Sequence, residues 1–317
     1  MSLKEQKENI TVGGQAVIEG VMMRSPHAIS VAVRKRSGEI VLKKTPFVSW
    51  TKRWRLLNLP IFRGAVVLIE SIVLGISALS FSGDVALEEE NQKKQTGEDI
   101  KQGQPKKMSG IYMGIMVVIS FAIGLLLFFY LPLLLTDLIG VKSGFWFNMV
   151  DGTIRLLIFL IYLFAITLLK DIRRLFEYHG AEHKSIFTYE NHLDLTVNNT
   201  SSFKTFHPRC GTSFLLIVMI VSILVFVFLG RPETIADRLI RFLFIPVIGG
   251  ISYELIRLSG KYSGNPLATC LIAPGLWLQR ITTKEPDAAQ LEVALVALKS
   301  ALSHEFSQPV QIVKTET

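Results

Sequence analysis

Cysteine is nearly missing from this chain. Cys210 and Cys270 are the only two in 317 residues, too few for a disulfide framework. Charge is scarce as well: Asp, Glu, Lys and Arg make up 19% of the sequence, below the roughly one quarter usual for globular chains. The charges sit between long apolar runs, and 50% of all residues are hydrophobic. Together these exclude an ordinary soluble enzyme. The opening stretch MSLKEQKENITVGGQ has no apolar core, so it does not read as a cleavable signal peptide, and internal spans are expected to drive insertion. No internal repeat and no nucleic-acid-binding motif is present. The net charge of +8 is therefore read as the Lys and Arg excess that membrane proteins keep on their cytoplasmic side, with no nucleic acid as partner.

What the sequence has is length enough to cross a bilayer several times. A helix needs about 20 apolar residues to span the hydrocarbon layer. Residues 111–135, 154–169, 213–229 and 239–258 qualify, with Arg155 expected to snorkel from a helix end. Residues 62–80 carry Arg63 and Glu70 and read as a re-entrant, interfacial or fifth transmembrane helix. Residues 1–61, 81–110, 170–212 and 259–317 hold 11, 5, 6 and 5 Lys or Arg, whereas 136–153 and 230–238 hold 1 and 2. If the four clean spans cross, this asymmetry puts both termini in the cytoplasm and requires residues 62–80 to enter and leave on that side. The expected fold is mainly α: a polytopic α-helical membrane protein with four spans plus one re-entrant or fifth span, and a small N-terminal β-rich cytoplasmic unit.

The domain plan follows. Residues 1–61 form the β-rich region, with strand-like runs at 28–33 and 39–43 flanking the turn Arg36-Ser37-Gly38. Residues 81–110 read as a flexible polar linker. Residues 111–258 form the transmembrane core, and 259–317 a C-terminal cytoplasmic region. There Pro286 suits a first helical turn, and Leu291, Leu295, Leu298 and Leu302 recur at helical spacing.

The chemistry concentrates in the loop 170–212. In EYHGAEHKSIF, His179 and His183 are four residues apart and share one helical face, with Glu182 beside them. His-x-x-Glu-His is the inverted zinc-protease motif, in which two His bind metal and the Glu activates water. Gly180 weakens the helix that this geometry needs. His207 and Cys210 in HPRCGTSF have a spacing at which two side chains converge on one metal. Imidazole and thiolate both suit zinc, the divalent metal expected here. If all four bind, the site is saturated and structural. If three bind, a position stays open for water and Glu182 is the general base. His27, His192 and His304 lack a motif partner and read as surface or packing residues. Glu254 reads equally as a functional group at membrane depth or as an i, i+3 partner of Arg257. Glu70 carries the same ambiguity, and Glu19 and Arg24 are expected as supports of the loop site.

Four separated stretches, GGQAVIEGVMMRSP, EYHGAEHKSIFTYE, HPRCGTSF and PGLWLQRITTKEPDAAQLEVAL, resemble the YqhQ-like family across about residues 13–302. The resemblance implies a bacterial multi-pass protein of the cell membrane, of a family labelled predicted metal-dependent enzymes. It supplies neither substrate nor reaction.

Three functions compete. The first is a zinc-type hydrolase of a lipid-linked or membrane-protein substrate, embedded in the lipid bilayer, alone or as a homo-oligomer. In the second, a transporter, channel or metal sensor binds an ion in the same cluster without turnover, and Glu254, Glu70 and Arg155 line a polar route. In the third, metal merely pins a scaffold.

Overall fold

The computed structural model describes residues 12–96, 110–261, 265–303 and 310–313; the end of the expected linker and His304 lie outside them. Four antiparallel strands come first: β1 (Gly13–Val17), β2 (Gly20–Arg24), β3 (Ala28–Arg34) and β4 (Ile40–Pro46). The 28–33 and 39–43 runs are β3 and β4, joined through Gly38 at φ +94°. The β1–β2 hairpin is less visible in sequence. Its two-residue turn puts Glu19 at φ +52°, a conformation that Gly or Asn usually supplies. β5 (Val310–Val313), from the far end of the chain, adds to β4 and completes the sheet order β1-β2-β3-β4-β5.

Helices follow. α1 (Trp50–Arg53) and a short 3-10 turn lead into α2 (Phe62–Thr96). α3 (Gly110–Leu125) and α4 (Leu131–Ile139) join through a π-helical turn, and then come α5 (Gly144–Ile166), α6 (Lys170–Glu190) and α7 (Val197–Ser201). α8 (Gly211–Leu229), α9 (Ile235–Leu243), α10 (Ile245–Lys261), α11 (Pro266–Thr282) and α12 (Ala288–Leu302) complete the described set. Among the described residues five segments are long and apolar enough to cross a membrane: Phe62–Glu88, Gly114–Ile139, Gly144–Ile166, Gly211–Leu229 and Ile235–Ser259.

The structure refines three expectations. The stretch read as a flexible linker is helical as far as Thr96, because α2 runs on unbroken. That same continuity leaves α2 no internal turn with which to form a re-entrant hairpin, so an interfacial or a crossing helix remains. Arg155 does not snorkel. It lies mid-helix and buried, 2.8 Å from Asp151 one turn earlier, with its guanidinium 5.3 Å from the Phe226 ring. Nearby Arg241, also buried, donates to Asn148 Oδ1 at 2.7 Å. Paired charges stacked on aromatic rings need no route to water.

The sheet is a filling between helices. One face packs Val21, Met23 and Ile40 against α6 and α12, where Leu291, Ala294 and Leu298 are buried. The other packs Val17, Met22 and Val31 against Ala78 and Val85 of α2. Pro286 precedes α12 rather than starting it; Asp287 is the N-cap, locked to Gln290 in a reciprocal capping box.

Candidate metal centre

α6 presents the histidines. Three residues separate it from the end of α5, and it stays helical through Gly180. The glycine serves a close approach: a Cβ there would lie 2.1 Å from the Lys284 carbonyl oxygen, and the Lys284 amide donates to Phe176 O at 2.9 Å. The segment after α11 thus crosses directly over α6. That crossing delivers the Thr282 carbonyl to His179, whose Nδ1 lies 2.8 Å away. His183 Nδ1 lies 2.5 Å from the Thr205 carbonyl. A carbonyl can only accept, so each Nδ1 carries the proton and each Nε2 is left with a lone pair.

The His179 lone pair meets Cys210, the N-cap of α8, whose sulfur also accepts from the Thr212 amide at 3.4 Å. His179 Nε2 is 3.2 Å from Cys210 Sγ. Ligand atoms of His179, His183 and Cys210 all lie within 4.8 Å of one another. His183 Nε2 is buried and makes no well-formed hydrogen bond among the described residues. Burial also pushes the His183 pKa down, which keeps the ring neutral at pH 7. Converging lone pairs repel unless a proton or a cation sits among them. Imidazoles fixed through Nδ1–H to carbonyls, with a sulfur as third donor, are how proteins hold zinc. The residues fit that ion.

His207 stands apart. Its ring centroid is 5.6 Å from that of His183, but its Nε2 faces Glu190 Oε2 at 3.3 Å and its Nδ1 accepts from the Arg209 amide at 3.3 Å. Gln279 of α11 holds its backbone on both sides, accepting from the amide at 2.7 Å and donating to the carbonyl at 2.8 Å.

The cluster opens into a cavity of about 320 Å³ lined by Gly13, Gly14, Gln15, Arg209 and Glu182 among others. Glu182 is the one carboxylate among its described lining residues. Burial pushes the Glu182 pKa up to about 7, with His179 and the Gly14 amide opposing the rise. Gly14 permits that contact, since a Cβ there would lie 2.8 Å from Glu182 Cγ.

The expected supports hold partners of their own. Glu19 is bound by Arg174, with Nη2 at 2.6 Å, and by the Tyr178 hydroxyl at 3.2 Å. Arg24 pairs with Glu70 at 3.1 Å, and Glu70 also accepts from Ser49 Oγ at 3.0 Å. Glu254 pairs with Arg63, whose Nε is 2.6 Å from Oε1, rather than with Arg257. These partners are distant in sequence, so no local spacing reveals them. The groups missed by sequence reasoning are backbone ones, the Thr282 and Thr205 carbonyls and the Gly14 amide. Only the Gly13-Gly14 doublet signalled any of these, by marking a close approach.

Residues 59–304 match the family model described as Protein of unknown function (DUF1385). The chain is also 34% identical over 298 residues to a Bacillus subtilis (strain 168) protein named Uncharacterized protein YqhQ, covering 92% of each chain. No solved structure matches it.

Proposed function

We propose that this chain, which belongs to the DUF1385 family, is a zinc-dependent hydrolase working at the cytoplasmic face of a bacterial membrane. The observation that carries the reading is the ligand count: three donors converge while the fourth candidate, His207, is engaged by Glu190 and Arg209. Three protein ligands beside an open cavity are the pattern of catalytic rather than structural sites. Zinc, when bound there, supplies Lewis acidity and makes water nucleophilic near neutral pH.

The chain's own groups do the rest. His179 and His183 hold their orientation through the Thr282 and Thr205 carbonyls, and Cys210 through its place at the start of α8. Glu182, the carboxylate in the cavity wall beside both histidines, takes the proton from water and returns it to the leaving group. The Gly14 amide keeps that carboxylate facing the cavity.

The transport reading has less support. Glu254, Glu70 and Arg155 close on Arg63, Arg24 and Asp151 in three separate ion pairs instead of lining one route. Glu182→Gln tests the proposal. With full zinc content it should abolish the hydrolysis that the parent chain performs on a bacterial membrane extract, read by mass spectrometry of the products; retained turnover would remove the base.

A further inference from the structure

A second, larger cavity of about 710 Å³ adjoins the first. The two share Val12, Gly13, Gly14, Gln15 and Arg209 as a common wall. Four cations, Arg24, Lys52, Arg209 and Arg257, line the larger one, and no carboxylate does among the described residues. Arg24 and Arg209 are already neutralised from outside the cavity by Glu70 and Glu190. Lys52 and Arg257 are exposed, and neither makes an ion pair among the described residues. Glu254, one turn before Arg257, is hydrogen-bonded by Arg63 and acts on Arg257 only through space. The cavity therefore keeps an excess positive field. Apolar wall is present too, from Met22, Phe47, Val67 and Leu74.

The setting of the cavity matters as much as its charge. The segment that carries Lys52 also exposes Trp50, Trp54, Leu56, Leu59 and Phe62, interleaved with Arg53 and Arg55. Aromatic and cationic side chains mixed in this way mark the headgroup layer of a bilayer. Arg257 comes from the last turns of α10, part of a candidate span. A cationic cavity with apolar walls at headgroup depth suits a phosphate whose other substituent continues into lipid.

We infer that this cavity binds the anionic phosphate headgroup of a membrane lipid, with Lys52 and Arg257 as its charge partners. Its place beside the candidate zinc cluster makes that phospholipid, or a lipid-linked phosphate, the substrate class of the hydrolase. The substrate assignment rests on the hydrolase reading, whereas the binding does not. β1 would then lie along the bound headgroup, with Gln15 in the wall between the phosphate and Glu182.

Native mass spectrometry of the full detergent-solubilised chain tests this, with titrations of phosphatidic acid, phosphatidylcholine of the same acyl chains, and inorganic phosphate. The expected result is saturable phosphatidic acid binding that phosphatidylcholine does not match and millimolar phosphate does not displace. Lys52→Gln with Arg257→Gln should weaken it about tenfold or more while zinc content stays unchanged, and Lys52→Arg with Arg257→Lys should restore it. Unchanged affinity in the double Gln variant would overturn the proposal, as would equal binding of phosphatidylcholine. Full displacement by phosphate would make the cavity a site for free anions and overturn the lipid assignment. Lipid binding in a chain that takes up no zinc would remove the hydrolase reading and leave this site standing.

Discussion

His207 and Cys210 lie in one short motif, yet only one of them turns toward the histidines of α6. The difference is a residue outside the motif: Glu190 takes the His207 Nε2, whereas among the described residues the Cys210 sulfur meets its neighbour Thr212 and the His179–His183 pair. Cys210→Ser should therefore weaken zinc binding about a hundredfold or more, measured by competition with a chromogenic chelator, whereas His207→Gln should change it only slightly. Equal losses would restore a saturated four-ligand site. Glu182 gives a second test in the metal-free protein. Its folded pKa, about 7, lies above the ordinary carboxylate value of 4.5. The folded state thus holds a proton that the unfolded state has released, and stability falls as pH rises from about 4.5 to 7. Glu182→Gln should flatten that slope and raise stability at pH 8 by on the order of 3 kcal/mol, read from thermal unfolding in detergent at pH 5 and pH 8. A variant with the same slope as the parent would show that the carboxyl is ionised throughout. The closeness of His179, Glu182 and His183 was legible because helical periodicity is local. The partners of Glu19, Arg24 and Glu254 were not, because a charge finds its partner in space, and Arg174, Glu70 and Arg63 are not neighbours in sequence.

Elements are set against each other by glycines. Gly180 lets the Lys284 carbonyl approach α6, and that crossing is also what aims the Thr282 carbonyl at His179. Gly180→Ala would improve helix propensity yet should cost about 1–3 kcal/mol through the forced displacement, read from thermal unfolding. It should also weaken zinc binding, since Thr282 shifts with Lys284. A more stable variant would show that the approach is looser. Sequence periodicity recovered β3, β4, α12 and the places of the four expected spans, though α5 starts at Gly144, well before the expected 154, and the last span is built from α9 and α10. It missed α11, where Pro274 interrupts the pattern, and it did not resolve β1 and β2, whose turn carries Glu where glycine is usual. α2 carries two signals at once. Its apolar length suits a span, but Ala78 and Val85 are buried against the sheet, while Ile69, Ile72, Ile76 and Leu79 are exposed. A helix that carries the sheet along one side and exposed aliphatic residues along another suits the membrane interface. Cysteine labelling with a membrane-impermeant reagent in sealed cells tests where α2 lies. Single cysteines placed at Lys52 and Gly83 should both stay protected from outside, while one at Lys142 should label. Labelling at Gly83 but not at Lys52 would make α2 a full crossing.

At the scale of the whole molecule, the two ends of the chain close on one another. β5 pairs with β4, and α12 covers the sheet that β1 to β4 begin. The sheet, α6 and the start of α8 therefore gather at one end of the helical bundle, where the candidate zinc ligands meet. The charge asymmetry of the sequence predicts that this end faces the cytoplasm, which the cysteine labelling tests; nothing in the order of residues announced that the first strand would form a wall of the cavity. The most direct measurement is the metal content of the purified full-length chain, by elemental analysis, beside a His179→Ala, His183→Ala variant. One zinc per chain, absent from the variant, is the expected result. A parent chain without metal, or a variant that keeps its full complement, would contradict the metal centre and the hydrolase built on it.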